Sequence, residues 1–366
     1  MQNAGKWLIA LMILIVLLLI ALNFIDRKTS PVPSTISVTT ANQSGTSHVL
    51  AHLSKIMPIE RTANEETEID ESFLSLIPRE QIEPCLQSRG RNVTNLLAAF
   101  HLSKDTNYLN ELAANFPNDP RVQFTVLVQN TFSGDRRKWI DAFKTSAPDN
   151  PMGNYLSAED YFKNGDTNAA VEELLAVNDK IDFDDDYSIE SQLNQKSLAE
   201  CSGKSPKEAR IISMAAFAGN NLPLLAIYKR LTKYMEDLQK QFAVMGDKES
   251  VENIAIQQFT LAGQIESGDS GKFLINQLVA MAVQSIALRQ LDENTSYDFL
   301  DDKTPAQVLK EQKDQKRQFA ELSKAFNASY PQLTEDEFIQ YSDRMKTDGE
   351  LAAMQWVVQQ HPPAQQ

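Results

Sequence analysis

Apolar and polar positions alternate with different rhythms along the chain, and each rhythm predicts a different element. Leu8 to Ile25 are 18 consecutive positions with one polar residue, Asn23, and no charge. As a helix this run spans about 27 Å at ~1.5 Å per residue, close to the roughly 30 Å hydrocarbon core of a bilayer. It predicts a transmembrane anchor over residues 1–28, with Trp7 at one interface and Arg27 and Lys28 at the other. A cleaved signal peptide is the competing reading, because Lys6 supplies a short basic leader. The run is longer than such a peptide needs, and Ala21-Leu22-Asn23-Phe24-Ile25 offers no small-x-small cleavage site. Residues 29–85 read as linker. Thr29 to Thr46 is rich in Ser, Thr and Pro and carries no charge, so it cannot bury enough surface to offset chain entropy. Glu65 to Glu83 is acidic, interrupted by Phe73, Leu74, Leu76 and Ile77. It reads as a solvated approach, with docking on a partner or on the protein's own surface as the alternative.

From Asn92 to Val177 the pattern becomes helical and repeats. Asn118-Asp119-Pro120 recurs as Asp149-Asn150-Pro151, and Ser133-Gly134-Asp135 as Asn164-Gly165-Asp166, each at a spacing of 31 residues. Each unit reads as helix, short turn, helix and a Pro-containing link. Pro120 and Pro151 suit a first helical turn, where an N–H has no intrahelical partner. Asn118 and Asp149 are the expected helix-start residues. Gly134 and Gly165 are expected to close the first helices in the left-handed conformation. Ala170, Leu174 and Val177 then form one apolar face at i, i+4, i+7. A single hairpin cannot cover such a face, whereas stacked copies can.

The unit starting at Pro151 resembles the tetratricopeptide repeat. Ala158 and Ala170 occupy its small positions, Tyr161 its aromatic position, and Gly165-Asp166 its turn. Asn154 stands where that family has an aromatic, Trp139 replaces a small residue in the preceding unit, and the period is 31 against the family's usual 34. The fold class expected is therefore all-α: a short tetratricopeptide-like α-solenoid over residues 86–200, then a C-terminal helical domain over 201–366. The resemblance implies a groove lined by the first helices, with Arg121, Phe124, Tyr155, Glu159 and Phe162 facing a protein partner.

The C-terminal half continues the helical rhythm. Ser205-Pro206 marks a start. Leu222 to Val244 carries a stripe of Leu225, Tyr228, Leu231, Tyr234, Met235, Leu238 and Phe242. Val251 to Ile265 follows, then Phe273 to Leu291, apolar on several faces and expected to be a central buried helix, with a second membrane span as the alternative. Pro305 to Phe326 is charged and helical, and Thr334-Glu-Asp-Glu is a capping box.

Composition narrows the function. There are 35 basic against 49 acidic side chains, a formal net charge of −14, which argues against nucleic acid, whose binding rests on Lys and Arg at phosphates. Four histidines leave little for a metal centre; His48 and His52 share a helix face but lack a third ligand. Asp182, Asp184 and Asp186 copy the start of a calcium loop, but Tyr187 and Leu193 fail its later positions, so an acidic inter-helix loop is expected. Gly271-Lys272 fails the phosphate-loop pattern twice, at Glu266 and Phe273. Cys85 and Cys201 are the two cysteines; one disulfide and two buried thiols are both open. No recognisable catalytic motif, cofactor or metal site is expected, and the chain does not read as an enzyme.

The function expected is a membrane-anchored scaffold or assembly factor at the cell envelope. It would hold protein partners through its helical surface and the bilayer through Leu8–Ile25. The N-terminus is expected inside and the bulk extracytoplasmic, since a large domain can translocate despite Arg27 and Lys28. A structural envelope oligomer, or an enzyme with an unrecognised site in the C-terminal half, are the alternatives.

Overall fold

The computed structural model describes residues 76–178, 180 and 189–363. The anchor run, the uncharged spacer, His48 and His52, the acidic positions 65–71 and the aspartates at 182–186 lie outside these residues. Among the described residues every regular element is helical, and the only extended pairing is an isolated bridge between Tyr297 and Lys303.

The first part runs α1 (Arg79–Arg89), α2 (Val93–Ser103), α3 (Thr106–Asn115), α4 (Pro120–Val128), α5 (Arg136–Ser146), α6 (Met152–Lys163) and α7 (Thr167–Leu175). Each helix packs on the next in sequence. Local chemistry sets the starts. Asn92 accepts the Asn95 N–H, Asp105 that of Asn107, and Asp166 that of Ala169. The two expected starts at Asn118 and Asp149 are each one residue early. Asp119 caps α4 by accepting the Arg121 N–H at 2.9 Å, and Asn150 accepts the Met152 N–H at 3.0 Å. In both, the short side chain reaches two residues forward, so the residue directly before the proline does the work. Gly165 takes φ +80° after α6, as its turn requires, but Gly134 does not have positive φ. Asn130 adopts the left-handed conformation instead, at φ +50°, and Ser133–Asp135 form a 3₁₀ turn.

The second part comprises α8 (Ile189–Cys201), α9 (Pro206–Val244), α10 (Lys248–Ser267), α11 (Leu274–Ala287), α12 (Pro305–Ser329), α13 (Glu335–Thr347) and α14 (Glu350–Gln360). The helix starts expected at Ser205 and Leu222 belong to one helix. α9 has 39 residues, opens with a capping box between Ser205 and Glu208, and continues through Pro223. At ~1.5 Å per residue it is about 58 Å long. It is the described helix long and apolar enough to cross a membrane, yet 62% of its apolar window is buried against the rest of the protein. α11 is buried as expected, with Val283 and Ala280 inaccessible. The α10–α11 turn needs Gly271, because a Cβ there would lie 2.1 Å from the Glu266 carbonyl oxygen. Capping boxes at Thr304/Gln307 and Thr334/Glu337 start α12 and α13.

The parts are not separate bodies. α8 packs on α1, α2 and α9, and α9 packs on α2, α4 and α6. One hydrophobic cluster runs from Phe124 and Phe143 through Tyr228, Leu231 and Leu238 to Met354 and Val357. A second joins α1–α4 to α8 and the start of α9. Trp139 is half-buried, packs against both clusters and stacks on Phe132 at 6.0 Å. Folding also begins earlier than residue 86. Ile77 and Ile82 are fully buried, and the Leu76 and Ile77 N–H groups donate to the Leu102 carbonyl. A disulfide between Cys85 and Cys201, with Cα atoms 5.9 Å apart, ties α1 to the end of α8 across 116 residues.

Candidate interaction face

The face expected to receive a partner is formed by alternate helices α2, α4 and α6. α9 lies against all three. The stripe on α9 supplies the filling: Tyr228, Leu231, Tyr234, Met235 and Leu238 are each at most 6% exposed. Phe162 stacks on Tyr234 with ring centroids 5.0 Å apart and planes 10° from parallel. The Tyr228 hydroxyl meets the Met152 sulfur at 3.5 Å. Lys104, just after α2, donates to the Asn220 side chain.

Four of the five expected partner residues are therefore interior. Phe124, Tyr155, Glu159 and Phe162 do not line an open groove, because an apolar helix of this chain covers the face they form. Phe124 packs on Phe143 at 5.7 Å. Tyr155 is fully buried, its hydroxyl donates to Gln264 of α10, and burial raises its pKa well above the usual phenol range. Arg121 alone stays partly open, pairing with Asp119 at 2.8 Å and reaching Thr94 of α2 at 3.3 Å.

Glu159 carries the polar part of the seam. Its carboxylate accepts from Arg136 at 3.0 Å and from Arg230 of α9 at 2.9 Å. Arg136 also donates to the Leu127 carbonyl at 2.8 Å, beside the Asn130 N–H that donates to the same oxygen at the end of α4. Asp160 lies 3.7 Å from both Arg136 and Arg137, and Arg137 sits 4.5 Å over the Tyr161 ring. Beside this, Glu173 of α7 accepts from Lys144 at 2.6 Å, from Asn154 at 2.6 Å and from Ser157 at 2.8 Å. Asn154 thus enters this network through its amide.

A further cluster lies outside the expected residues. Glu236 of α9 is 2% exposed and is reached by Lys233 at 2.6 Å, Lys240 at 3.0 Å and Arg289 at 3.1 Å. Burial pushes its pKa up, but hydrogen bonds from Lys233 and Lys240 more than reverse this and bring it down to about 2. The Lys-x-x-Glu-x-x-x-Lys spacing on one helix was the legible signal; Arg289 arrives from a distant turn that no local pattern could reveal.

Chemically, these carboxylates are fixed ionic partners whose oxygens already accept from cations. The groups shifted furthest toward neutrality fall at three places: His101 at the α2–α8 contact, Tyr155 under α10, and Tyr341 of α13 with Tyr330 and Glu350 of α14 near it. Among the described residues no group of three His, Cys, Asp or Glu is placed to hold a metal. Comparison with models of protein families, with curated proteins and with solved structures found no match.

Proposed function

We propose that this protein is a membrane-anchored helical scaffold or assembly factor whose folded part lies outside the cytoplasm. The helical pairs α2–α3, α4–α5 and α6–α7 act as a short tetratricopeptide-like array, with α9 seated along their first helices as an internal strut. The partner surface then moves outward, to the exposed sides of α3, α5 and α7, where Asn110, Asp141 and Glu172 are exposed. The anchor holds this surface at the bilayer, and the uncharged spacer lets it reach a neighbour, raising the effective concentration.

The observation that carries this reading is the Cys85–Cys201 bond. A structural disulfide fits an oxidising compartment and not the cytosol, which agrees with an N-terminal apolar run that threads the bulk outward.

Photo-crosslinking in intact cells tests the reading. A photoreactive residue at Asp141 or Glu172 is expected to capture the same protein partner, while one at Phe162 captures only this chain. Capture of a partner from Phe162, or none from either outer position, would contradict it.

A further inference from the structure

Between the C-terminal half of α11 and the face of α12 lies an open cleft of about 370 Å³, lined by Ser285, Arg289, Leu309, Gln312, Lys313 and Lys316. Its size falls at the small end of ligand sites, which run roughly 300–1,000 Å³. Three of its six lining side chains are cationic and none is acidic, in a chain whose net charge is −14. Its neutral polar groups satisfy one another: Ser285 donates to Gln312 at 2.7 Å, and Gln312 donates to Gln284 at 2.8 Å. Arg289 points one nitrogen at Glu236, at 3.1 Å, leaving further N–H groups on the same planar fork.

Lys316 is half-buried, and no carboxylate lies within ion-pair distance of it among the described residues, unlike Lys144, which has Glu173, and Lys233, which has Glu236. Burial alone holds the Lys316 pKa below the usual ammonium range. Between the cations, the wall is aliphatic: Leu309 stands 40% exposed, and the lysines contribute their methylene stems.

We infer that this cleft binds an amphiphilic anion, a phosphate or carboxylate head on a short apolar body. α11 and α12 run antiparallel, with Gln312 against Gln284 and Ser285 and Phe319 against Leu278 and Met281. The head therefore pairs with Lys316 and Lys313, and the body runs toward Leu309 and the stem of Arg289. Two sources offer that chemistry: a free small molecule, or an anionic lipid of the membrane that holds the anchor.

Amine labelling read by mass spectrometry on the full-length chain in phosphatidylcholine nanodiscs tests this. Octyl phosphate is expected to slow acylation of Lys313 and Lys316 at least fivefold, with exposed Lys138 unchanged, and inorganic phosphate to protect far less. Protection by phosphatidylglycerol nanodiscs without added ligand would support the site and name the lipid as its source. Protection by octyl phosphate alone would support it with a free ligand. The thermal shift given by octyl phosphate is expected to vanish in Lys316→Gln, which removes an unpaired charge and so keeps its fold. Equal protection by inorganic phosphate, no protection by any of the three, or an unchanged thermal shift in Lys316→Gln would overturn the assignment.

Discussion

His101 and Glu350 are both buried, and they make the protein respond to pH in opposite directions. His101 receives the Gln195 amide N–H at 3.2 Å on Nδ1, and burial, helped by Lys104, lowers its pKa from 6.5 to about 3. The folded state therefore holds fewer protons at this site than the unfolded state, so stability is full above pH 6.5 and falls as the pH drops toward 3. His101→Gln is expected to flatten that acid limb in urea titrations at successive pH values; an unchanged limb would mean that other groups cause it. Glu350 accepts the Leu274 N–H at 2.7 Å, at a helix start with no side-chain cap of its own, and burial raises its pKa above 4.5. Here the folded state holds more protons, so stability declines as pH rises above 4.5. Glu350→Gln keeps an acceptor for Leu274 and removes the charge. It is expected to melt higher than the parent at neutral pH and with no advantage in acid. Glu159 is different, because it neutralises Arg136 and Arg230 within the seam. Removing its charge weakens two charge-assisted hydrogen bonds, while Arg136 keeps Asp160 and the Leu127 carbonyl and Arg230 stays partly exposed. Glu159→Gln is expected to cost about 2 kcal/mol in denaturant titrations.

Helix ends were largely legible because capping chemistry is local. Ser205-Pro206, Thr334 with Glu337, and Gly165 act as their spacing suggests. The offsets at Asn118 and Asp149 and the transfer of the turn from Gly134 to Asn130 show the limit of that reading: several short polar residues in a row compete for one role, and tertiary packing selects among them. The apolar faces of α7 and α9 were each visible, but periodicity tells only that a face is covered, never by what. The repeat resemblance assigns Phe162 and Tyr155 to a partner groove, whereas in the fold Phe162 stacks on Tyr234 of α9 and Tyr155 meets Gln264 of α10. Replacing Phe162 and Tyr234 by Ala singly and together is expected to give a coupling energy of about 1 kcal/mol; a value near zero would place the rings apart in solution. The even cysteine count admitted a disulfide, while its consequence depends on the fold. It closes a loop with a separation of 116 residues, and reducing it is expected to lower unfolding stability by about 5 kcal/mol on the chain-entropy account.

At the scale of the whole molecule, the all-helical class was readable from rhythm alone, but the division at residue 200 was not. α8 and α9 are continuous with the preceding helices, because their apolar faces complete two shared cores. The result is an integrated body in which a helix of about 58 Å at ~1.5 Å per residue packs on α2, α4 and α6, and the outward sides of α3, α5 and α7 carry the proposed contacts. The central claim is that α9 closes this face in the free protein. Hydrogen–deuterium exchange by mass spectrometry on the full-length, oxidised chain measures that closure directly. The account predicts that amides over 224–242 and over 152–163 are protected together and exchange only with global unfolding. Exchange over 224–242 that is orders of magnitude faster than over 152–163 would show α9 leaving the face open to a partner, and would contradict it.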